Sequence, residues 1–412
     1  DIASVLAADD ASDDVIASFP LLHDAMTSYQ IAATDIAATG DGTLTAWIDF
    51  DGDGAYQADE FATAEVVAGV VQTDLSWSFS DIMAAGTTYA RFRLTTDELL
   101  DVAGTTTTDE RATLAAIDGE VEDYPIIVVS TYTLNGIVFE DINYGGGAGR
   151  DQTSASGVGV NGAKVELYDS TGALIATATT ANDGANDGAY AFTNLIDGDY
   201  HVRVVSDTIN STRSGSDGSE LAVQTFRSDG TTPVTAEVGG RQTTLEDGTA
   251  HDASDPSVLD TTSYAFTGGT LDGGQAQSVT PVTLAGADII GIDFGYNFDT
   301  IVNSNDAGQG SLRQFILNSN LLTDEAALAQ VGQTAAWETS IFMIPSANLS
   351  AGVATIELSS ALPSITGSST AVDGGTQTSN IGNTNAGVSG TGGTVGVDNL
   401  TLPQYQNPEV EI

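Results

Sequence analysis

Apolar and polar residues alternate in short stretches along most of this chain. Thr43–Phe50 (TLTAWIDF), Tyr89–Leu94 (YARFRL), Ala163–Tyr168 (AKVELY), Ala189–Phe192 and Tyr200–Val205 carry the period-two pattern of half-buried strands. Turns rich in Gly, Asp and Asn separate them. Helical periodicity is scarce. Ser80–Ala85 and Thr108–Ile117 are short helix candidates. Gly310–Leu317 (GSLRQFIL) is stronger, with Leu312, Phe315 and Ile316 on one face behind Ser311 as N-cap.

The pattern divides the chain into three blocks. Residues 1–129 end in Tyr124–Val129 (YPIIVV). Residues 130–298 open with Tyr132–Phe139 (YTLNGIVF) and close with Ile290–Phe298; their polar part, 206–280, predicts long loops. Residues 299–412 hold only short apolar pieces: Ser340–Ile344, Val353–Leu358, Ser364–Thr366, Thr370–Asp373 and Glu409–Ile412. Their loose spacing predicts rungs of a β-solenoid, with the helix at Gly310–Leu317 capping its first coil. The expected class is all-β: two β-sandwich domains followed by the N-terminal coils of a β-solenoid. The final NPEVEI carries no capping signal, so continuation into further repeats or self-association is expected at that edge.

Charge narrows the functions. Asp and Glu number 57 against 10 Lys and Arg, a formal net charge of −47. Such a surface repels nucleic acid and acidic membranes and repels itself, so bound cations should help it fold. Cysteine is absent, which excludes disulfides and thiolate metal sites. No apolar run approaches the roughly 18–20 residues of a membrane span. The match to G-x-G-x-x-G at Gly157–Gly162 precedes a strand and reads as a turn, not a dinucleotide loop. His23, His201 and His251 are scattered, and neither H-E-x-x-H nor G-x-S-x-G occurs. The chain is therefore expected not to be an enzyme.

One stretch carries chemistry, WIDFDGDGAYQADEF (Trp47–Phe61). Asp49, Asp51, Asp53, Gly54 and Glu60 fit D-x-D-x-D-G-x5-E, the calcium-loop spacing. Three carboxylates crowd one turn, Gly54 permits the bend, Ala55 can offer its carbonyl, and Glu60 can close the shell with two oxygens. Hard oxygen ligands at this density suit Ca²⁺. A strand enters the loop where a helix would enter a helix-pair sensor. Weaker calcium candidates are Glu140, Asp141, Asn143 and Asp151 around a Gly-rich loop. The group Asn182, Asp183, Asn186 and Asp187 reads first as a polar hairpin. Asp9, Asp10, Asp13 and Asp14 could meet Glu120, Glu122 and Asp123.

Three resemblances follow from these motifs. WIDFDGDG, RFRL and GEVEDYPI (Gly119–Ile126) resemble the GEVED domain of bacterial surface and secreted proteins, which implies a β-sandwich with acidic, calcium-holding loops. Members of that family usually begin earlier, which implies an incomplete N-terminal part. The frame Gly188, Tyr190, Phe192, Leu195, Gly198, Tyr200 and Val202, after GIVFEDINYGGGAGR, is similar to the B-type repeat of serine-aspartate-repeat and collagen adhesins. Some relatives carry a Lys–Asn crosslink. Lys164, the only lysine, alternates with inward Ala163, Val165 and Leu167, so it is expected to face solvent without one. IVNSNDAGQGSLRQFI (Ile301–Ile316) with LPSITGSSTAVDGGTQ is similar to the opening of right-handed parallel β-helix domains in large bacterial exoproteins.

The expectation is a calcium-stabilised structural or adhesive protein, extracellular or on a bacterial surface, that binds neither nucleic acid nor membrane. Surface glycans are possible partners. The alternative is an accessory portion of a carbohydrate-active β-helix enzyme, or a carbohydrate-binding module. Residues 318–412 contain no Lys or Arg, which argues against a lyase for anionic polysaccharides there.

Overall fold

The computed structural model describes residues 16, 18–101, 108–239 and 278–412. The chain separates into two units, Asp1–Tyr132 and Thr133–Ile412.

The first unit contains β1 (Leu22–His23), β2 (Ser28–Ile31), β3 (Gly42–Ile48), β4 (Phe61–Val67), β5 (Val70–Val71), β6 (Leu75–Ser78), β7 (Gly86–Thr95) and β8 (Glu120–Val129). Six of them form one sheet in the order β1-β8-β7-β3-β4-β5. Only β1 and β8 pair in parallel there. β2 and β6 form a separate antiparallel pair. Alternation sorts the side chains. Leu44, Ala46 and Ile48 of β3 and Ala62, Ala64 and Val66 of β4 pack with Tyr29, Ile31, Leu75 and Trp77 from the pair. The opposite face of β3 buries Trp47 against Tyr56 and Ala112.

Neither short helix candidate here forms as expected. Ser80–Ala85 is irregular, and Met83 N–H donates to Phe50 C=O at 2.7 Å. Thr108–Ile117 holds only a 3₁₀ turn, Glu110–Ala112. Its carbonyls serve other donors: Ala112 O accepts from Arg91 Nη1 (3.1 Å), Arg111 O from Arg93 Nη1 (2.5 Å) and Leu114 O from Arg93 Nη2 (2.6 Å). Two guanidinium groups on β7 thus hold this segment, which keeps only one turn of backbone bonds, from Ala112 N–H to Asp109 O (3.1 Å) and from Thr113 and Leu114 N–H to Glu110 O (2.9 Å each).

In the second unit β9 (Tyr132–Glu140), β10 (Val158–Gly159), β11 (Lys164–Asp169), β12 (Leu174–Thr179), β13 (Ala189–Leu195), β14 (Gly198–Val204), β15 (Val223–Ser228), β16 (Pro233–Val234), β17 (Val279–Leu284) and β18 (Phe294–Asn297) build two sheets. Their orders are β10-β9-β18-β15-β16, with β13 on β9, and β12-β11-β14-β17. Gly188 enters β13 at φ +77°, and a Cβ there would lie 2.2 Å from Val138 O. Tyr190 and Phe192 then share a buried face, 5.9 Å apart.

β15 corrects the expectation of loops through 206–280, whose residues 240–277 lie outside the described set. Every residue of β15 is buried, polar ones included, so it lacks the alternation that marks a half-buried strand. Arg227 is paired with Glu237, and Gln224 Oε1 accepts from Ser278 N–H at 2.9 Å.

The last block packs within the same unit. α2 (Leu312–Leu321; α1, the only earlier α-helix among the described residues, is Gln152–Ala155) starts at Ser311, whose hydroxyl accepts from Gln314 N–H. Its Leu312, Phe315 and Ile316 face Ile301, Phe342, Ile344 and Ile356, as their spacing predicts. Short parallel pairs follow: Thr300–Ile301 with Ile341–Phe342, Glu338–Thr339 with Thr370–Ala371, and Ala354–Thr355 with Val410–Glu411. Tyr144, Val223 and Val238 meet Val302, Ile341 and Met343 in one cluster.

Among the described residues every Lys and Arg has an internal partner. Arg91 binds Asp123, Arg111 Asp109, Arg150 Asp141, Arg213 Glu338, Arg227 Glu237 and Arg313 Asp306, while Lys164 and Arg203 share Glu166. Arg93 is held by the carbonyls above. The Lys164 face of β11 is therefore not the solvent face expected from alternation. Ala163, Val165 and Leu167 are buried, but so are Glu166 and Tyr168 on the other side. Glu166 accepts from Arg203 Nη1 (2.7 Å) and Tyr168 O–H (2.5 Å), and Lys164 Nζ lies 3.3 Å away. A charge can be buried there because its partners are buried with it.

Glu166→Ala should therefore destabilise the second unit by about 3–5 kcal/mol, the usual cost of leaving a buried charge unpaired. The double change Glu166→Leu with Arg203→Met should recover most of that loss, as read by urea unfolding.

Candidate metal centre

β3 delivers the acidic loop. Asp49 follows its last residue and is tied to β7 through its own N–H, which donates to Tyr89 O at 3.0 Å, and through its carbonyl, which accepts from Thr88 Oγ1. Gly52 (φ +71°) and Gly54 (φ +86°) adopt the left-handed conformation that lets the chain turn back at once. Within the turn each aspartate accepts from a nearby backbone N–H. Gly54 donates to Asp49 Oδ2 (3.2 Å), Asp53 to Asp51 Oδ1 (3.0 Å) and Ala55 to Asp53 Oδ1 (2.8 Å).

This geometry brings the first three expected ligands together. Carboxylate oxygens of Asp49, Asp51 and Asp53 all lie within 4.8 Å of one another, the only such group of three among the described residues. Asp49 is 2% exposed, and its Oδ1 is buried without a hydrogen-bond partner. Burial and the neighbouring Asp51 and Asp53 push its carboxyl up to about 6.

Glu60 is placed differently from the expectation. Both of its oxygens accept from backbone: Oε1 from Phe50 N–H (2.6 Å) and Oε2 from Gln57 N–H (3.1 Å). It is buried, which pushes it up to about 8, and the indole of Trp77 donates to its carbonyl at 2.8 Å. Ala55 stays in the turn. Gln57, which the ligand spacing did not single out, lies across the cluster, with Nε2 2.8 Å from Asp53 Oδ2 and 3.3 Å from Asp51 Oδ2.

Other acids of this unit show the contrast. Asp123 of the GEVED sequence holds Arg91 through two hydrogen bonds of 2.7 Å. Asp109 accepts from Trp47 Nε1 (2.9 Å) and pairs with Arg111, which stacks 3.7 Å from the Phe61 ring. Asp49, equally buried, is given two carboxylate neighbours, Asp51 and Asp53, and no cation. Asp9, Asp10, Asp13 and Asp14, expected near Glu120, Glu122 and Asp123, lie outside the described residues.

The weaker candidates do not assemble. Glu140 accepts from Ser211 Oγ (2.9 Å) and from Thr212 N–H and Oγ1 (2.6 Å each). Asp141 pairs with Arg150, Asn143 Oδ1 accepts from Ala329 N–H (2.7 Å), and Asp151 caps α1. These four point to separate structural partners because backbone and arginine donors reach each of them first. Asn182, Asp183, Asn186 and Asp187 form a hydrogen-bonded hairpin turn, with Asp183 accepting from the N–H groups of Ala185 and Asn186 and Asp187 from Asn182. The first three border an open cleft of about 450 Å³ that Tyr190 and Asp293 also line.

Comparison with known proteins agrees with two of the three resemblances. Residues 43–127 match the GEVED domain, and residues 132–255 match the SdrD B-like domain. Among curated proteins none matches. Solved structures with some similarity include the major pilin subunit of Bacillus cereus, 15% identical, covering 48% of this chain and 58% of that one, with a TM-score of 0.21. The T6 backbone pilin of Streptococcus pyogenes serotype M6 is 14% identical over 43% of each chain, TM-score 0.20. The minor pilin of Streptococcus agalactiae is 12% identical over 63% of this chain and 84% of its own, TM-score 0.19. The chain thus spans less than two thirds of the first two of these pilins. No helix among the described residues is long and apolar enough to cross a membrane.

The raised carboxyls make a signed prediction for metal-free protein. A carboxyl whose folded pKa exceeds its unfolded value keeps its proton longer when folded, so stability falls as pH rises from about 4 through the folded values of about 6 and 8 for Asp49 and Glu60. In chelator the melting temperature should fall between pH 5 and 8, and less steeply in Glu60→Gln. Parallel slopes in the two proteins would contradict the assignment.

Proposed function

We propose that this chain is a structural or adhesive part of a bacterial surface or secreted protein, and that Ca²⁺ bound by Asp49, Asp51 and Asp53, with the Ala55 carbonyl, stabilises its first unit. The carrying observation is the orphaned, buried Asp49 Oδ1 facing two further carboxylates. A buried carboxylate oxygen with no donor is costly, and a hard cation with oxygen preference removes both that cost and the mutual repulsion. In extracellular modules such sites bind at roughly 10⁻⁴–10⁻³ M, suited to permanent loading outside a cell.

The GEVED and SdrD B-like matches support a surface location and an adhesive or structural role over catalysis. The parallel two-residue pairs and the helix over the first of them support reading 299–412 as the first coils of a right-handed parallel β-helix. Further coils, from the same chain or a second copy, would then continue its edge, and surface glycans remain candidate ligands for an adhesive role.

Saturating Ca²⁺, at about one hundred times Kd, should stabilise the first unit by about 2.7 kcal/mol relative to chelator, seen as a rise of several degrees in melting temperature. Asp51→Ala should abolish that rise while leaving or slightly raising the melting temperature in chelator, because it removes a repelling charge. Identical melting of the wild type with Ca²⁺ and with chelator would overturn the calcium reading.

A further inference from the structure

The calcium spacing assigns its last position, Glu60, as the ligand that closes the shell with two oxygens. The structure gives those oxygens other work. Glu60 Oε1 holds Phe50 N–H at 2.6 Å and Oε2 holds Gln57 N–H at 3.1 Å, so one buried carboxylate joins the entry and exit of the loop. Turning it toward the cluster would leave two backbone donors without acceptors, one of them the N–H of buried Phe50.

Gln57 is already where a closing ligand is needed. Its amide bridges Asp51 Oδ2 (3.3 Å) and Asp53 Oδ2 (2.8 Å) through Nε2. A neutral NH₂ donating to two carboxylates is the arrangement expected of a group standing in for a cation. A half-turn of the same amide presents Oε1 in its place. The side chain is half-buried, and the half-turn gives up the contact its oxygen makes with Glu60 N–H in the capping box, while that N–H keeps the Gln57 carbonyl at 3.2 Å.

Building on the calcium reading above, we infer that Gln57 closes the side-chain shell of the ion through Oε1, and that Glu60 is a positioning residue that never touches it. Asp49 Oδ1, Asp51, Asp53 and Gln57 supply the side-chain oxygens, Ala55 its carbonyl, and water fills what remains of the roughly six to eight positions Ca²⁺ takes. A loop closed by an amide carries less charge than one closed by a carboxylate, which places it at the weak end of calcium affinity.

Terbium can be used in place of calcium, since its luminescence lifetimes in H₂O and D₂O count the waters on the bound ion. Measured on the full chain, Gln57→Ala should add about one bound water and weaken Tb³⁺ and Ca²⁺ binding several-fold. Glu60→Gln should leave the water count at the wild-type value and lower the melting temperature with and without the ion. Added water in Glu60→Gln together with unchanged hydration in Gln57→Ala would overturn the inference. Gln57→Ala decides it alone if Glu60→Gln does not fold, because unchanged hydration there is sufficient to reject it. Failure of the wild type to bind Tb³⁺ saturably would instead remove the calcium reading on which the inference rests.

Discussion

Cations are scarce in this chain, and the fold is organised around where the few arginines go. Ten cationic side chains face 57 acidic ones, and every described Lys or Arg is engaged inside the protein. Arg91 and Arg93 bind the segment after Thr108 to the sheet, Arg203 neutralises Glu166 between strands, and Arg213 ties the loop after β14 to Glu338 in the last block. A surface with almost no positive charge follows directly. It also leaves one buried acidic turn without an arginine.

That turn is placed with care by ordinary backbone chemistry. Thr88 and Tyr89 on β7 fix its entry, two left-handed glycines reverse it, and Glu60 joins its ends. The three aspartates are therefore pre-set against one another before any ion arrives. The same unit shows what an acid does when an arginine is available, at Asp109 and Asp123. Under the calcium proposal, a cation from solution at Asp49 would be the counterpart of those arginines.

Much of this was legible in the amino-acid pattern. The strands Thr43–Phe50, Tyr89–Leu94 and Tyr200–Val205 form close to where they were read, because apolar residues recur at every second position of each and enter a core, β3 burying Trp47 on its other face as well. The helix behind Ser311 forms for the same reason with a different period. β15 was not legible, since a strand buried on both faces shows no alternation, and its polar residues Gln224 and Arg227 resemble loop. The candidate at Thr108–Ile117 gave only a 3₁₀ turn where Arg91 and Arg93 took its carbonyls, and at Ser80–Ala85 Met83 N–H went to Phe50 C=O, competitions no local pattern reveals.

The sequence by itself determined the all-β class, the acidic excess, and the triad Asp49, Asp51 and Asp53, because local periodicity and a one-turn spacing decide these. Only the tertiary structure decided which carboxylates have partners. Glu140, Asp141 and Asp151 are weaker metal candidates along the chain, and each meets a donor brought from elsewhere or from its own helix. Glu60 fits the ligand spacing, yet it faces two backbone N–H groups. Spacing fixes which oxygens could converge, while hydrogen-bond satisfaction in the folded chain settles which of them remain free.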